Sequence, residues 1–342
     1  MGVFRRLPTL WRLLREIDLE SVRREAEQPF QVLVCAQDVA DAEDLATRLS
    51  GPGARHPWVL AALPDQALRR ARSGVVDVAL LRTPTVRIAP ALAGARAALI
   101  AAGVPTITVV EVAGGAMDLI AREGEAARVL LSAPGGEDAL YGTVVAAVPP
   151  LARVSLARQL PPLRKATFDE LTEETARANA VYALTMGLAE VVPLLGVPLN
   201  LADIVVLTKN QLVMSYRIAL AAGKQGAPRE LVGELVGVIG GGFLFRQVGR
   251  ELVGLMPVIG IVPKVAVAYA GTLAIARAVV VWASEGDRLR PEALKRVYKD
   301  AWRKGKALAR TLVRRGPHTR ARLRVVPPPA DSEGTRRNRG AP

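Results

Sequence analysis

The sequence predicts an α/β domain followed by an all-α one: a doubly wound parallel sheet over residues 30–150, then an apolar helical bundle or set of hairpins. Three observations predict it. Short β-rich apolar runs alternate with Ala/Leu/Arg stretches of helical length in the first half. Two nearly uncharged 25-residue stretches lie in the second half. The 342 residues exceed one ordinary core and suit two domains of about 100–200 residues each.

Composition narrows the chemistry. Half the residues are hydrophobic but only 4% aromatic, so the apolar mass is Ala, Val, Leu and Ile, and 30 Gly with 24 Pro suit helices with breaks. The net charge of +14 is concentrated at the end, where residues 286–342 carry an excess of +12. Charge alone lets such a segment meet anionic lipid or nucleic acid. The single cysteine, Cys35, excludes an intramolecular disulfide and reads as a buried small hydrophobe in a strand. With only His56 and His318 beside it, neither a zinc site nor a Ser-His-Asp triad is expected. The reading is of no catalytic residue, no metal and no cofactor.

Residues 1–29 are expected to hold an amphipathic helix, with Leu10, Leu13, Leu14 and Ile17 at helical spacing among Arg5, Arg6, Arg12 and Arg15. Those charges, with Glu16 and Asp18, interrupt the apolar run a signal peptide needs. An interfacial helix and a helix packed on the protein's own surface both fit.

The expected strands are Gln31–Ala36, Trp58–Leu63, Asp77–Leu81, Pro105–Val112 and Arg128–Ala133, with helices near 39–50, 65–73, 90–102, 115–123 and 137–147. In such sheets the ligand sits beyond the carboxyl ends of the strands. After the first strand, Ala36-Gln37-Asp38-Val39-Ala40-Asp41-Ala42-Glu43 has the spacing of G-x-x-x-x-G-K-[ST], whose glycines, lysine and hydroxyl hold phosphate and Mg²⁺. None of those residue types remains at Ala36, Asp41, Ala42 or Glu43. Asp38, Asp41, Glu43 and Asp44 would instead repel an anion while favouring a helix N-terminus.

The other loops keep a frame with changed contents. Val78 to Thr85 is similar to the strand ending in D-x-P-G of Era-like GTPases, with Arg82 and Thr85 in place of Asp and Gly. Val104 to Val110 resembles the strand before N-K-x-D, but Glu111, Val112 and Gly114 stand where guanine would be read. Ser132-Ala133-Pro134 resembles the final S-A-K loop with only Ser and Ala kept. The segment 30–150 therefore resembles a degenerate Era-like GTPase domain; framing by strands fits other doubly wound folds as well.

Residues 151–166, with Pro161-Pro162 and Arg153, Arg158, Arg164 and Lys165, read as a basic linker. Thr167-Phe168-Asp169-Glu170 has the form of a capping box opening a helix. Beyond it, 178–202 carries one charge, Glu190, and 252–276 only Lys264; each is long enough to cross about 30 Å of hydrocarbon. A buried core helix fits too. Two uncharged tips, Pro193 to Pro198 and Pro257 to Pro263, suit burial in protein or lipid. Asp203, Asn210, Arg217 and Lys224 recur every seven residues, drifting about 20° per step, as a solvated stripe or a lining paired with Glu190 or Arg246.

Over residues 167–286 the chain resembles the YcjF-like domain of unknown function that accompanies Era-like GTPases in bacteria. The resemblance rests on Pro198-Leu199-Asn200-Leu201-Ala202-Asp203, Leu207-Thr208, Gln211, Met214 and Ile218-Ala219. It continues through Arg246, Arg250-Glu251-Leu252, Pro257, Gly260, Lys264, Ala268-Tyr269-Ala270-Gly271-Thr272 and Gly286; Arg277 departs from the pattern, which keeps Gly there. The resemblance implies a helical, membrane-associated domain without established catalysis.

Residues 287–316 read as a basic helix from Pro291 to Arg315, with Lys295, Lys299, Arg303, Lys306 and Arg310 on one broad side as lipid-surface contacts or a solvated face. Residues 317–342 are expected to be disordered.

The expected function is a non-catalytic, membrane-associated scaffold or regulatory protein with a pseudo-GTPase domain. Its partners would be a membrane, an unidentified protein and anionic lipid, at the bacterial inner membrane on the cytoplasmic face or multi-pass with cytoplasmic termini. A GTPase with atypical nucleotide contacts, and a soluble cytoplasmic interaction module, are the competing classes. Nucleic acid is disfavoured, because no aromatic-rich or groove-reading motif accompanies the charge.

Overall fold

A computed structural model describes residues 17–51, 56–85, 87–111, 128–189, 202–240 and 261–314. Residues 1–16 of the expected N-terminal helix segment 1–29, the expected helix near 115–123, the tip at 193–198, most of the tip at 257–263 and the tail 317–342 lie outside them, as do Val112 and Gly114.

Among the described residues, helix α1 (Leu19–Glu25) precedes an alternation of β1 (Val32–Cys35), α2 (Val39–Ser50), β2 (Val59–Ala62), α3 (Pro64–Ala71), β3 (Val78–Thr83), α4 (Pro90–Ala101), β4 (Thr106–Val110), β5 (Arg128–Leu130) and α5 (Gly136–Ala147). The five strands form one parallel sheet in the order β2-β1-β3-β4-β5. Their continuous apolar sequences are what burial on both faces demands. Val32, Val34, Val78, Leu80, Ile107 and Val109 pack with Leu45 and Leu49 of α2 and Leu140 and Val144 of α5. Leu33, Cys35, Ala79 and Leu81 point the other way, towards Ala67 of α3 and Leu92 and Leu99 of α4.

The helix starts follow local chemistry. Asp38 caps α2 by accepting from the backbone N–H of Ala40 at 2.6 Å. Pro64 and Pro90 open α3 and α4, where the missing N–H costs no hydrogen bond. Gly135 precedes α5 with φ +74°, which a side chain would strain.

Cys35 is fully buried and its thiol pKa is pushed by burial from 9.0 up to about 12. Between those values the unfolded chain releases this proton and the folded chain keeps it, so stability falls as pH rises through that window. The thiol is expected not to react with a disulfide reagent at pH about 8 in the native protein and to react fully in denaturant, where the thiolate is accessible; fast labelling of the native protein would contradict this.

The segment 151–166 is not a solvated linker. A 3₁₀ turn, α6 (Arg153–Gln159) and a second 3₁₀ turn run directly into α7 (Arg164–Ala189), three residues before the expected start at Thr167. Val154, Leu156, Leu160 and Leu163 are fully buried, and Thr167 lies inside the helix rather than capping it. Arg153 faces inwards: it donates to the Val145 carbonyl at 3.1 Å and pairs with Glu170 and Glu174 at 3.4 and 3.5 Å. Ser155 donates to the Gln28 carbonyl at 2.6 Å. The segment thereby joins the sheet domain to the helices.

Helices α8 (Ala202–Ala221), α9 (Pro228–Gly240), α10 (Ile261–Glu285) and α11 (Pro291–Arg314) complete the described fold. Helix α10 is long and apolar enough to cross a membrane, yet 67% of its most apolar window is buried among its neighbours. It packs against α7, α8, α9 and α11. Ile17, Val22 and Ala26 of the N-terminal segment pack with Leu220, Leu231 and Val279, so the helical part is assembled from both sides of the sheet domain's sequence.

Candidate functional site

The order of the sheet reverses between β1 and β3, and the crevice outside their carboxyl ends is where such sheets bind ligands. The positions framed as a phosphate loop do not form one loop. Ala36, Gln37 and Asp38 connect the strand to the helix, while Asp41, Ala42 and Glu43 already lie in α2. Ala36 and Ala42 are buried, and Asp41 and Glu43 are half-buried.

A ring of charges fills the crevice. Arg82, at the end of β3, has a side chain only 12% exposed. Its Nη1 meets Asp44 Oδ2 at 2.6 Å and donates to the Asp41 carbonyl at 2.8 Å. Its Nη2 lies 2.6 Å from Glu111 Oε2 and 3.5 Å from Asp41 Oδ1. Arg48, one turn after Asp44 on α2, closes the ring at 3.0 Å from Asp44 and 3.3 Å from Glu111. Burial alone would lower the pKa of Arg48, but the charges of Glu111 and Asp44 outweigh it and raise it.

Two arginines and three carboxylates thus pair with one another in the crevice, although Glu111 Oε2, in ion-pair range of Arg82, is buried without a hydrogen bond. Chemically the ring can hold α2, β3 and β4 together; it offers no free base, nucleophile or metal ligand set, and no metal-ligating cluster occurs among the described residues. The sequence marked Asp41, Arg82 and Glu111 as altered positions but not as mutual partners. Arg48 was missed, although Asp44 and Arg48 stand at the i, i+4 spacing of a helical ion pair.

Over its described members the heptad stripe is not a solvated face; Glu190 and Arg246, the other expected partners, lie outside the described residues. Asn210 donates to Asn179 Oδ1 at 2.9 Å, inside a buried network in which Asn179 and Gln211 donate to the Thr272 hydroxyl at 2.9 and 3.2 Å. Arg217 grips Glu25 of α1 with two bonds of 2.7 Å. Lys224 lies beyond the end of α8, its ammonium 4.9 Å from the Trp282 ring centre. The side chain of Asp203 is outside the described set.

On α11, Lys295, Lys299, Arg303 and Arg310 are exposed, and Lys306 is half-buried 6.0 Å from the Trp302 ring centre. The opposite face is occupied by protein: Leu294, Tyr298 and Ala301 pack on Ala270 and Ala274 of α10. No family model, curated protein or solved structure matches this chain.

Proposed function

We propose that the protein is a non-catalytic, membrane-associated scaffold or regulatory protein. Its α/β domain is a degenerate GTPase-type domain that presents a surface to a protein partner, and its helical part, of YcjF-like kind, attaches to the bilayer. The observation that carries this is the closed ring of Arg82, Asp44, Arg48 and Glu111 in the switch-point crevice. A phosphate chain entering there would break four ion pairs and meet a local excess of negative charge, with no phosphate-cradling loop to compensate.

Membrane attachment is supported by the arrangement of helix ends. Leu184 near the end of α7, Val265 and Ile261 at the start of α10, and Leu312 near the end of α11 share one cluster. Asn210 of α8 pairs with Asn179 of α7, so α8 starts towards the same pole. The chain joining α7 to α8 has a single charge, Glu190. At the opposite pole Lys165 meets Asp138 of the sheet domain at 3.1 Å. Helix ends gathered on an apolar cluster, with Arg310 and Arg314 exposed on α11, suit attachment to anionic lipids.

Two measurements test the reading. Calorimetry with GTP and Mg²⁺ is expected to give no binding; micromolar affinity would restore the enzyme class. Flotation with vesicles containing anionic lipid is expected to carry the protein upwards and to persist at about 1 M salt, where surface charge is screened. The burial of α10 favours a second reading, a soluble interaction module, and protein left at the bottom of the gradient would select it.

A further inference from the structure

A cleft of about 460 Å³ opens between α1, α6 and the turn joining α8 to α9, at the pole nearer the sheet domain. Its walls bring together Arg23, Arg158 and Lys224, three cations far apart in sequence. Glu27 also lines it and is matched to Arg23 at 3.3 Å. The other two cations have no carboxylate in ion-pair range among the described residues. Arg158 donates to the Lys224 carbonyl at 3.4 Å, and the Lys224 ammonium rests over Trp282. The turn itself is fixed: the Lys224 N–H donates back to the Ala219 carbonyl at 3.0 Å, and Gly223 takes φ +90°.

One helical turn before Leu220, which lines the cleft, stands Tyr216. It is fully buried, and its hydroxyl has no hydrogen-bond partner among the described residues. Burial pushes its pKa up, the charges of Arg23 and Arg158 lower it, and those of Glu20 and Glu27 raise it. A buried hydroxyl left unpaired costs free energy. The start of α9 adds no donor, since Glu230 already accepts from the Ala227 N–H at 3.2 Å.

We propose that this cleft binds the phosphate group of a small molecule, held by Arg158 and Lys224 with Arg23 beside them. The planar guanidinium fork and the ammonium together match the oxygens of a phosphate better than a single carboxylate. The volume exceeds that of bare phosphate and falls in the range of ordinary small-molecule pockets. The position, away from the apolar pole, favours a soluble phosphorylated compound over a lipid headgroup. The site is separate from the crevice around Arg82 and does not depend on the function proposed above.

The test uses the full chain and pyrophosphate as probe, by calorimetry and thermal unfolding, with chloride at matched ionic strength as control. Saturable binding and a raised Tm are expected with pyrophosphate only. Arg158→Gln and Lys224→Gln should each weaken binding about tenfold or more, the scale of a charge-assisted hydrogen bond. Tyr216→Phe, just outside the lining, should leave binding unchanged and the ligand-free Tm unchanged or higher, because the deleted hydroxyl was unpaired. Absence of saturable heat, or binding indifferent to both Arg158→Gln and Lys224→Gln, would each overturn the proposal. Vesicles bearing phosphatidic acid should fail to displace pyrophosphate; displacement would support the same phosphate site with a headgroup as its source.

Discussion

Replacing Arg217 with alanine is expected to destabilise the protein by about 3 kcal/mol, the low end of the range for removing one partner of a buried ion pair. Glu25 is 8% exposed and accepts both bonds of the Arg217 fork, each at 2.7 Å. Without the arginine its carboxylate stays desolvated, with nothing to offset the cost of burial. The loss is asymmetric: replacing both residues by apolar ones of similar size should cost much less, since the desolvation penalty leaves with the charges. Urea unfolding of the single and double variants measures the difference, and a single variant within about 1 kcal/mol of the parent would show the pair to be no better than a surface one. The same variant should expose residues 17–27 to protease, because the pair is the polar half of the contact that seats α1 on the helices.

Arg82→Ala should cost about 2 kcal/mol, less than the first because Asp41 and Asp44 are nearly half exposed and water takes over part of their pairing. It removes the bridge between β3 and α2 and leaves Asp41, Asp44 and Glu111 with only Arg48 among them. Arg82→Lys should recover little. The ring uses Nη1 and Nη2 towards different carboxylates, and a single ammonium cannot span both. Neither variant should gain GTP binding, because opening the crevice leaves it acidic. A stability change near zero in Arg82→Ala would reduce the ring to an incidental surface cluster.

The sheet was legible in the sequence because its strands are short, apolar on both faces and separated by helices with clear starts. Asp38, Pro64 and Pro90 mark those starts, and each lies where its local chemistry demands. Half of the site was legible too. Asp41, Arg82 and Glu111 stood out as charged residues at or just beyond the carboxyl ends of expected strands, where such sheets bind ligands, and that placement is a local fact. Their pairing was not, because residues 41, 82 and 111 meet only when β1, β3 and β4 lie side by side.

The helical part misled for a related reason. Prolines and arginines in 151–166 have the composition of a linker, yet Arg153 is buried against Val145, Glu170 and Glu174. The heptad spacing of Asn210 and Arg217 correctly placed them on one side of a helix but could not name Asn179 or Glu25 as partners. Composition reports a residue's preference for water averaged over proteins; burial of a charge depends on whether a distant partner arrives to satisfy it.

The sequence by itself determined the alternation of strands and helices, the long apolar helix α10 and the basic face of α11, all set by residue type and spacing within a few turns. Only the tertiary structure decided that α1 joins the helices across the sheet domain, that the supposed linker is core, that α10 is wrapped by neighbours and that the crevice is closed by arginines. Each of those depends on groups more than a dozen residues apart meeting at hydrogen-bond or packing distance, and no local pattern encodes which ones will meet.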